Sequence, residues 1–154
     1  MIVIFLDYQG VLDTYENPDI LDVENLNILL EIVKKTNAKI VITSSLRCTY
    51  FLYGEHNETM KNLINILALN NVDVYGLTPL LDNKEKEITF YLNIHPEIES
   101  YCILDDEYYF KSMKEHMVKL KLHKDKGNGL KDISLPNVIE KLNYKDNYKL
   151  LKRN

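Results

Sequence analysis

Two cysteines, Cys48 and Cys102, are the whole thiol content of this 154-residue chain, and they form no Cys-x-x-Cys pair. Neither a disulfide framework nor a thiolate zinc site is indicated, and two buried free thiols are the expectation. Long apolar runs are missing too: none approaches the roughly 18 residues of a membrane span. The opening MIVIFLDYQG has no basic segment ahead of its apolar residues, so no secretory leader is expected and the protein reads as cytoplasmic. There is no internal repeat, linker or low-complexity segment. Lys and Arg are absent from the first 33 residues, which hold seven acids, whereas residues 111–131 hold seven lysines against Glu115 and Asp125. Such asymmetry can mark a basic docking face for phosphates or nucleic acid; the commoner meaning is a solvated lysine-rich surface. No aromatic-interleaved basic stripe accompanies the lysines at 111, 114, 119, 121, 124 and 126, and the net charge of -4 does not itself favour nucleic acid.

What is present is a chain long enough for one domain that buries about two-thirds of its surface. With 45% apolar and 27% charged residues it is ordinary for a soluble globular protein. Apolar runs of strand length recur at 2–6, 39–43, 72–77, 100–104 and 117–122. Helical patterns lie between them. Asp22 can cap a helix carrying Leu26, Leu29, Leu30 and Val33, closed by Lys34 and Lys35 before Asn37. Others span about Asn57 to Leu69, about Lys84 to His95 before Pro96, a short one at 108–116, and one opened by Ser134 and Pro136 that runs to Leu142. Strand and helix in alternation predict a single Rossmann-like α/β/α domain over 1–154, its sheet mostly parallel. The core is expected at about 2–142, with 143–154 a frayed or loosely docked helical tail.

In an open parallel sheet, chemistry collects at the carboxyl ends of the strands. The first strand delivers Asp7, Gln9 and Gly10; the second delivers Thr43, Ser44 and Ser45, with Arg47 behind as a further candidate substrate contact; the fourth ends in the pair Asp105 and Asp106. Lys84 and Lys86 open the helix before that fourth strand. Taken singly these residues have plainer meanings: Thr43 and Ser44 as strand-end hydrogen bonds, Asp105 as a helix cap, Arg47 as a surface or salt-bridge residue, the lysines as solvated helix starts. Taken together they put hard oxygen ligands and cationic or hydroxyl donors on one edge, a set that suits Mg²⁺ and a phosphate.

Asp7-x-x-Gly10 after an apolar strand, Thr43-Ser44 after a second, a lysine, and Asp105-Asp106 after another strand together resemble the four motifs of the haloacid dehalogenase (HAD) superfamily. More narrowly, IVITSSLR, KEKEITFYLNIHPEIESYCILDDE and the late GNGLKD resemble the small HAD domain of Swiss Army Knife RNA repair proteins. The resemblance implies that Asp7 is the nucleophile of an aspartyl-phosphate mechanism. It also implies Mg²⁺ held by Asp7, the main-chain carbonyl of Gln9, and Asp105 or Asp106. Thr43, helped by Ser44, would hold a phosphoryl oxygen, with backbone N–H groups of the Tyr8–Gly10 turn completing the cradle. Lys84 is the first choice for the motif lysine and Lys86 the second.

Gln9 departs from the family pattern. An aspartate usually stands there as general acid and base, and an amide cannot carry that proton, a loss of about 10²–10⁴ in rate. Asp13 lies too far along the chain to be taken as its replacement. The segments between motifs leave no room for a large cap; only a small insertion around RCTYFLYGEHN (47–57) could shade the site. The expected function is slow Mg²⁺-dependent hydrolysis of a phosphomonoester, small or at a nucleic-acid end. The alternatives are a weak or inactive domain that binds a phosphorylated ligand or partner, and a phosphotransferase.

Overall fold

A computed structural model describes residues 1–107, 110–133 and 135–143. Five strands form one all-parallel sheet: β1 (Ile2–Leu6), β2 (Lys39–Ile42), β3 (Val74–Leu77), β4 (Ser100–Asp105) and β5 (Met117–Lys119), in the order β3-β2-β1-β4-β5. Because side chains alternate across a strand, each central strand feeds two cores. Ile4 and Leu6 of β1, Ile40 and Ile42 of β2, and Cys102 and Leu104 of β4 face one cluster. Val3, Phe5, Val41, Tyr101 and Ile103 face the other.

The first cluster is covered by α1 (Val23–Thr36), α3 (Glu58–Leu69) and α5 (Leu135–Asn143), through residues such as Leu26, Leu29, Ile32, Met60, Leu63, Leu67 and Val138. The second is covered by α4 (Lys84–Ile94), through Ile88, Tyr91 and Leu92, and by 3-10 turns over Lys111–His116. The result is the three-layer Rossmann-like architecture. The caps are local: Asp22, Asn57 and Asn83 each accept a hydrogen bond from the backbone N–H three residues on, at Asn25, Met60 and Lys86. Asn37 closes α1 in the left-handed conformation.

Three expectations from sequence are revised. The short helix at 108–116 is a pair of 3-10 turns over Lys111–His116, interrupted at Met113, where φ is -125°. The strand foreseen at 117–122 ends at Lys119, because the chain turns back at once and Gly127 N donates to Leu122 O. The insertion at 47–57 is folded: 3-10 residues Ser45–Arg47 lead into a six-residue helix α2 (Cys48–Tyr53), closed by Gly54 at φ 80°. The proposed cap Ser134 and the tail beyond residue 143 lie outside the described residues. Among the described residues no helix is long and apolar enough to cross a membrane, and both thiols are free.

The GNGLKD segment locks the loop after β1. Asn25, fully buried on α1, donates from Nδ2 to the carbonyls of Asp13 and Asn128, and its Oδ1 accepts from Lys131 N. Gly129 sits at φ 78° with its Cα pressed against Val11 O and the Asn25 amide, so no side chain fits there. Gly129→Ala therefore combines backbone strain with overlap and is expected to lower unfolding free energy by about 2–4 kcal/mol. Gly54→Ala, at a similar φ but with open space around it, should cost about 1–2 kcal/mol. Urea unfolding of the two variants checks the difference.

Candidate active site

Strand order fixes the site. The chain leaves β1 for β2 on one side, through α1, and reaches β4 on the other only after crossing the sheet through α4. The carboxyl ends of β1 and β4 thus flank the point where winding reverses, which is where open α/β sheets bind ligands. Ladder bonds run past the strand ends and level the edge: Asp7 N donates to Leu104 O at 3.0 Å and Thr43 N to Leu6 O at 2.9 Å.

Asp7, Asp105 and Asp106 each present a carboxylate oxygen to one place, the three atoms lying within 4.8 Å of one another. Lys84, from the first turn of α4, reaches in between: its Nζ donates to Asp105 Oδ2 at 2.8 Å and stands 3.4 Å from Asp7 Oδ2. Lys86 turns outward to Asp82 at 3.1 Å and takes no part. Asp7 Oδ1 accepts from Tyr8 N, and Asp105 Oδ1 from Glu107 N. Gly10, at φ 76°, packs its bare Cα against the Asp106 carboxyl, which a side chain at residue 10 would displace.

Burial, and then the charge of Asp105, push the Asp7 carboxyl up to about 7, although Lys84 and the Tyr8 N–H pull the other way. Asp106 is raised to about 6 by burial, Asp105 and Glu107. Thr43 is buried, and its Oγ1 has no hydrogen-bond partner among the described residues. An orphaned buried hydroxyl at the edge of a carboxylate cluster is a group waiting for an oxygen ligand. Ser44, also buried, uses its Oγ to accept from Leu46 N, which caps the 3-10 turn. The donor set is entirely hard oxygen, so it could hold a divalent cation of the Mg²⁺ kind.

Gln9 is engaged: its Nε2 donates to Asp19 Oδ1 at 3.0 Å. Asp19, left-handed at φ 63°, donates its own N–H to Asp13 Oδ2. Asp13, fully buried, also accepts from Gly10 N at 2.7 Å, and His123 Nε2 stands 2.8 Å from its Oδ1 without hydrogen-bond alignment. Asp13 thus shapes the loop after β1, and no local signal in the chain marks Asp19 or His123 as its neighbours. Of the readings of Arg47 the salt bridge is the one found: it is buried, its guanidinium turned to main-chain carbonyls and to Glu87, so it is neither a surface residue nor a contact for a substrate. The signal for this pair lay in α4, where Glu87 shares the buried face of Ile88, Tyr91 and Leu92; an acid on an apolar face calls for a buried cation.

The model of a family described as "HAD domain in Swiss Army Knife RNA repair proteins" matches residues 3–131. Comparison with curated proteins and with solved structures found no match.

The raised carboxyls set a pH dependence. Below about pH 4 they are protonated in folded and unfolded chains alike, and stability is at its fullest as far as they are concerned. As pH rises toward 7 the unfolded chain releases its protons first, so the metal-free protein loses stability through that window. Thermal melts in EDTA should therefore fall between pH 5 and pH 8. Mg²⁺ should recover more at pH 8 than at pH 5. Asp7→Asn should flatten the profile and stabilise the metal-free protein at pH 8 by about 1–3 kcal/mol; parallel profiles for variant and wild type would contradict this origin of the pH dependence.

Proposed function

We propose a function from one premise: this chain belongs to the family of HAD domains in Swiss Army Knife RNA repair proteins, and that membership carries a phosphohydrolase-type activity. The reading is a Mg²⁺-dependent phosphomonoesterase that works through an aspartyl phosphate on Asp7 and turns over slowly. The observation that carries it is Lys84 standing between Asp7 and Asp105 at the sheet's switch point, with Asp106 and the unpartnered Thr43 hydroxyl beside them.

Asp7, the main-chain carbonyl of Gln9, Asp105 and Asp106 are the ligands assigned to the cation. Three carboxylates and one ammonium leave two negative charges, the complement of a divalent ion. When bound, it neutralises phosphoryl oxygens and keeps Asp7 ionised at neutral pH. Asp7 attacks phosphorus from the side opposite the leaving oxygen; one P–O bond forms as the ester P–O bond breaks. Lys84 and the Thr43 hydroxyl hold phosphoryl oxygens; of the Tyr8–Gly10 turn, whose Tyr8 and Gly10 N–H groups donate to Asp7 Oδ1 and Asp13 Oδ1, only the Gln9 N–H is left for the same cradle. Ser44, its Oγ accepting from Leu46 N, steadies the Thr43 backbone. Water then attacks the phosphoenzyme and releases Asp7. With Gln9 at the acid–base position, the leaving oxygen and the attacking water exchange protons with solvent, which makes both steps slow.

A nucleotide or nucleic-acid end is the favoured substrate. The family's printed description supports it. So does α2, which follows the Thr43–Ser44 edge closely in sequence: its Tyr50, Phe51 and Tyr53 are 43–77% exposed, and exposed aromatic rings accept stacked bases. The engagement of Gln9 with Asp19 favours one second reading, a long-lived phosphoenzyme that serves binding or phosphotransfer.

A phosphatase panel run with Mg²⁺ and with EDTA tests the proposal, comparing nucleoside monophosphates and phosphorylated oligonucleotide ends with glycerol phosphate. Metal-dependent release of phosphate that Asp7→Asn abolishes is expected. Gln9→Asp should raise turnover on an aryl phosphate by at least about tenfold. The introduced carboxylate faces Asp19 and is helped to keep a proton by that like charge. A folded, Mg²⁺-binding Gln9→Asp protein with no turnover would favour the binding reading.

A further inference from the structure

Arg47 and Glu87 form an ion pair buried behind the site, Nη2 to Oε1 2.9 Å, with side chains 2% and 8% exposed. A guanidinium has five N–H donors, and here each has an acceptor. Nε donates to Thr78 O at 2.9 Å; Nη1 donates to Thr43 O at 2.6 Å and Ser44 O at 2.9 Å. Nη2 serves Pro79 O at 3.1 Å as well as Glu87. Glu87 uses its second oxygen, Oε2, to accept from Leu81 N at 2.9 Å.

The pair therefore ties three pieces of backbone together: the end of β2 that bears Thr43 and Ser44, the loop leaving β3, and α4. On α4, Glu87 follows Lys84 by three residues and shares its side of the helix. Fixing Glu87 thus fixes the helix turn that delivers Lys84. The ends of β1 and β4, which bear Asp7 and Asp105, are held by the ladder bonds of the sheet.

We infer that Arg47 and Glu87 are positioning residues that hold the phosphate-binding half of the site, Thr43 and Lys84, in register with the carboxylate half. The inference rests on the phosphohydrolase reading above. Only a planar fork meets the demand: the ammonium of a lysine has three donors at one point and cannot span four carbonyls and a carboxylate. Catalysis and phosphate binding are sensitive to such register, since a displacement of about 1 Å can cost about a hundredfold.

The test uses the full chain with Arg47→Lys and, as the gentler change, Glu87→Gln, which keeps an acceptor for Leu81 N. Circular dichroism and melting establish folding; calorimetry then measures Mg²⁺ alone and fluoroberyllate at saturating Mg²⁺. The expected result is Mg²⁺ affinity within about threefold of wild type and fluoroberyllate affinity weakened at least about tenfold. A fall in kcat for an aryl phosphate should accompany it. Unchanged fluoroberyllate affinity in folded variants overturns the inference. Parallel loss of both ligands, or failure of both variants to fold, also overturns it by making the pair a general element of the fold. Wild-type protein that binds no fluoroberyllate with Mg²⁺ instead overturns the phosphohydrolase reading, and this inference with it.

Discussion

Like charge held close is the constraint around which this edge of the molecule is organised. Asp7 and Asp105 are both buried and Asp106 is half-buried, with one carboxylate oxygen of each inside a 4.8 Å circle. Carboxylates so placed repel, and burial removes the water that would screen them. Lys84 offsets part of that, through contacts of 2.8 and 3.4 Å. The remainder shows as a carboxyl at Asp7 that holds its proton up to about 7. Such an arrangement destabilises the protein by itself, and proteins keep such strain where charge arrives from outside. Several features elsewhere serve to hold it: the switch point between β1 and β4, the bare Gly10 against Asp106, and the cap Asn83 that starts α4 at Lys84.

The features legible in the sequence were those governed by local rules. Alternation and run length located β1, β2 and β4 to within a residue, and the Asp22 cap, the apolar face from Met60 to Leu67 and the stop at Pro96 located α1, α3 and α4, because those signals arise within a few residues of chain. The carboxyl-edge rule then gathered Asp7, Thr43, Lys84, Asp105 and Asp106, and Lys84, preferred to Lys86 on the family resemblance, is the lysine that reaches the carboxylates. What escaped depends on contacts distant in sequence. Arg47 meets Thr78 and Glu87, 31 and 40 positions on, and Asn25 meets Asn128 and Lys131 more than 100 positions away. Nothing local distinguishes a buried arginine from an exposed one. The end of β5 and the turns at Lys111–His116 were missed for a related reason: MVKLKL reads as a strand until the return of Gly127 to Leu122 curtails it.

Under the proposed chemistry, the relative size of the contributions decides what the substitution at Gln9 does. Positioning and electrostatic stabilisation contribute most to phosphoryl transfer, with well-oriented attack alone accounting for about 7–11 kcal/mol of a barrier. General acid–base help contributes about 10²–10⁴ in rate, roughly 3–5 kcal/mol. The residues assigned to positioning and charge, Asp7, Lys84, Thr43 and the acids at 105 and 106, are all present, and only the acid–base position lacks its side chain. The deficit also falls unevenly. A leaving oxygen of low basicity departs without a proton, so an aryl phosphate is affected less than an alkyl one, while hydrolysis of the phosphoenzyme still needs a base for its water. That difference puts the bottleneck at the second step and lengthens the life of the phosphoenzyme. A loop drawn in by Asp13 turns the Gln9 amide to Asp19, which accepts from it, and an amide so held can hydrogen-bond to a ligand but cannot exchange a proton with it.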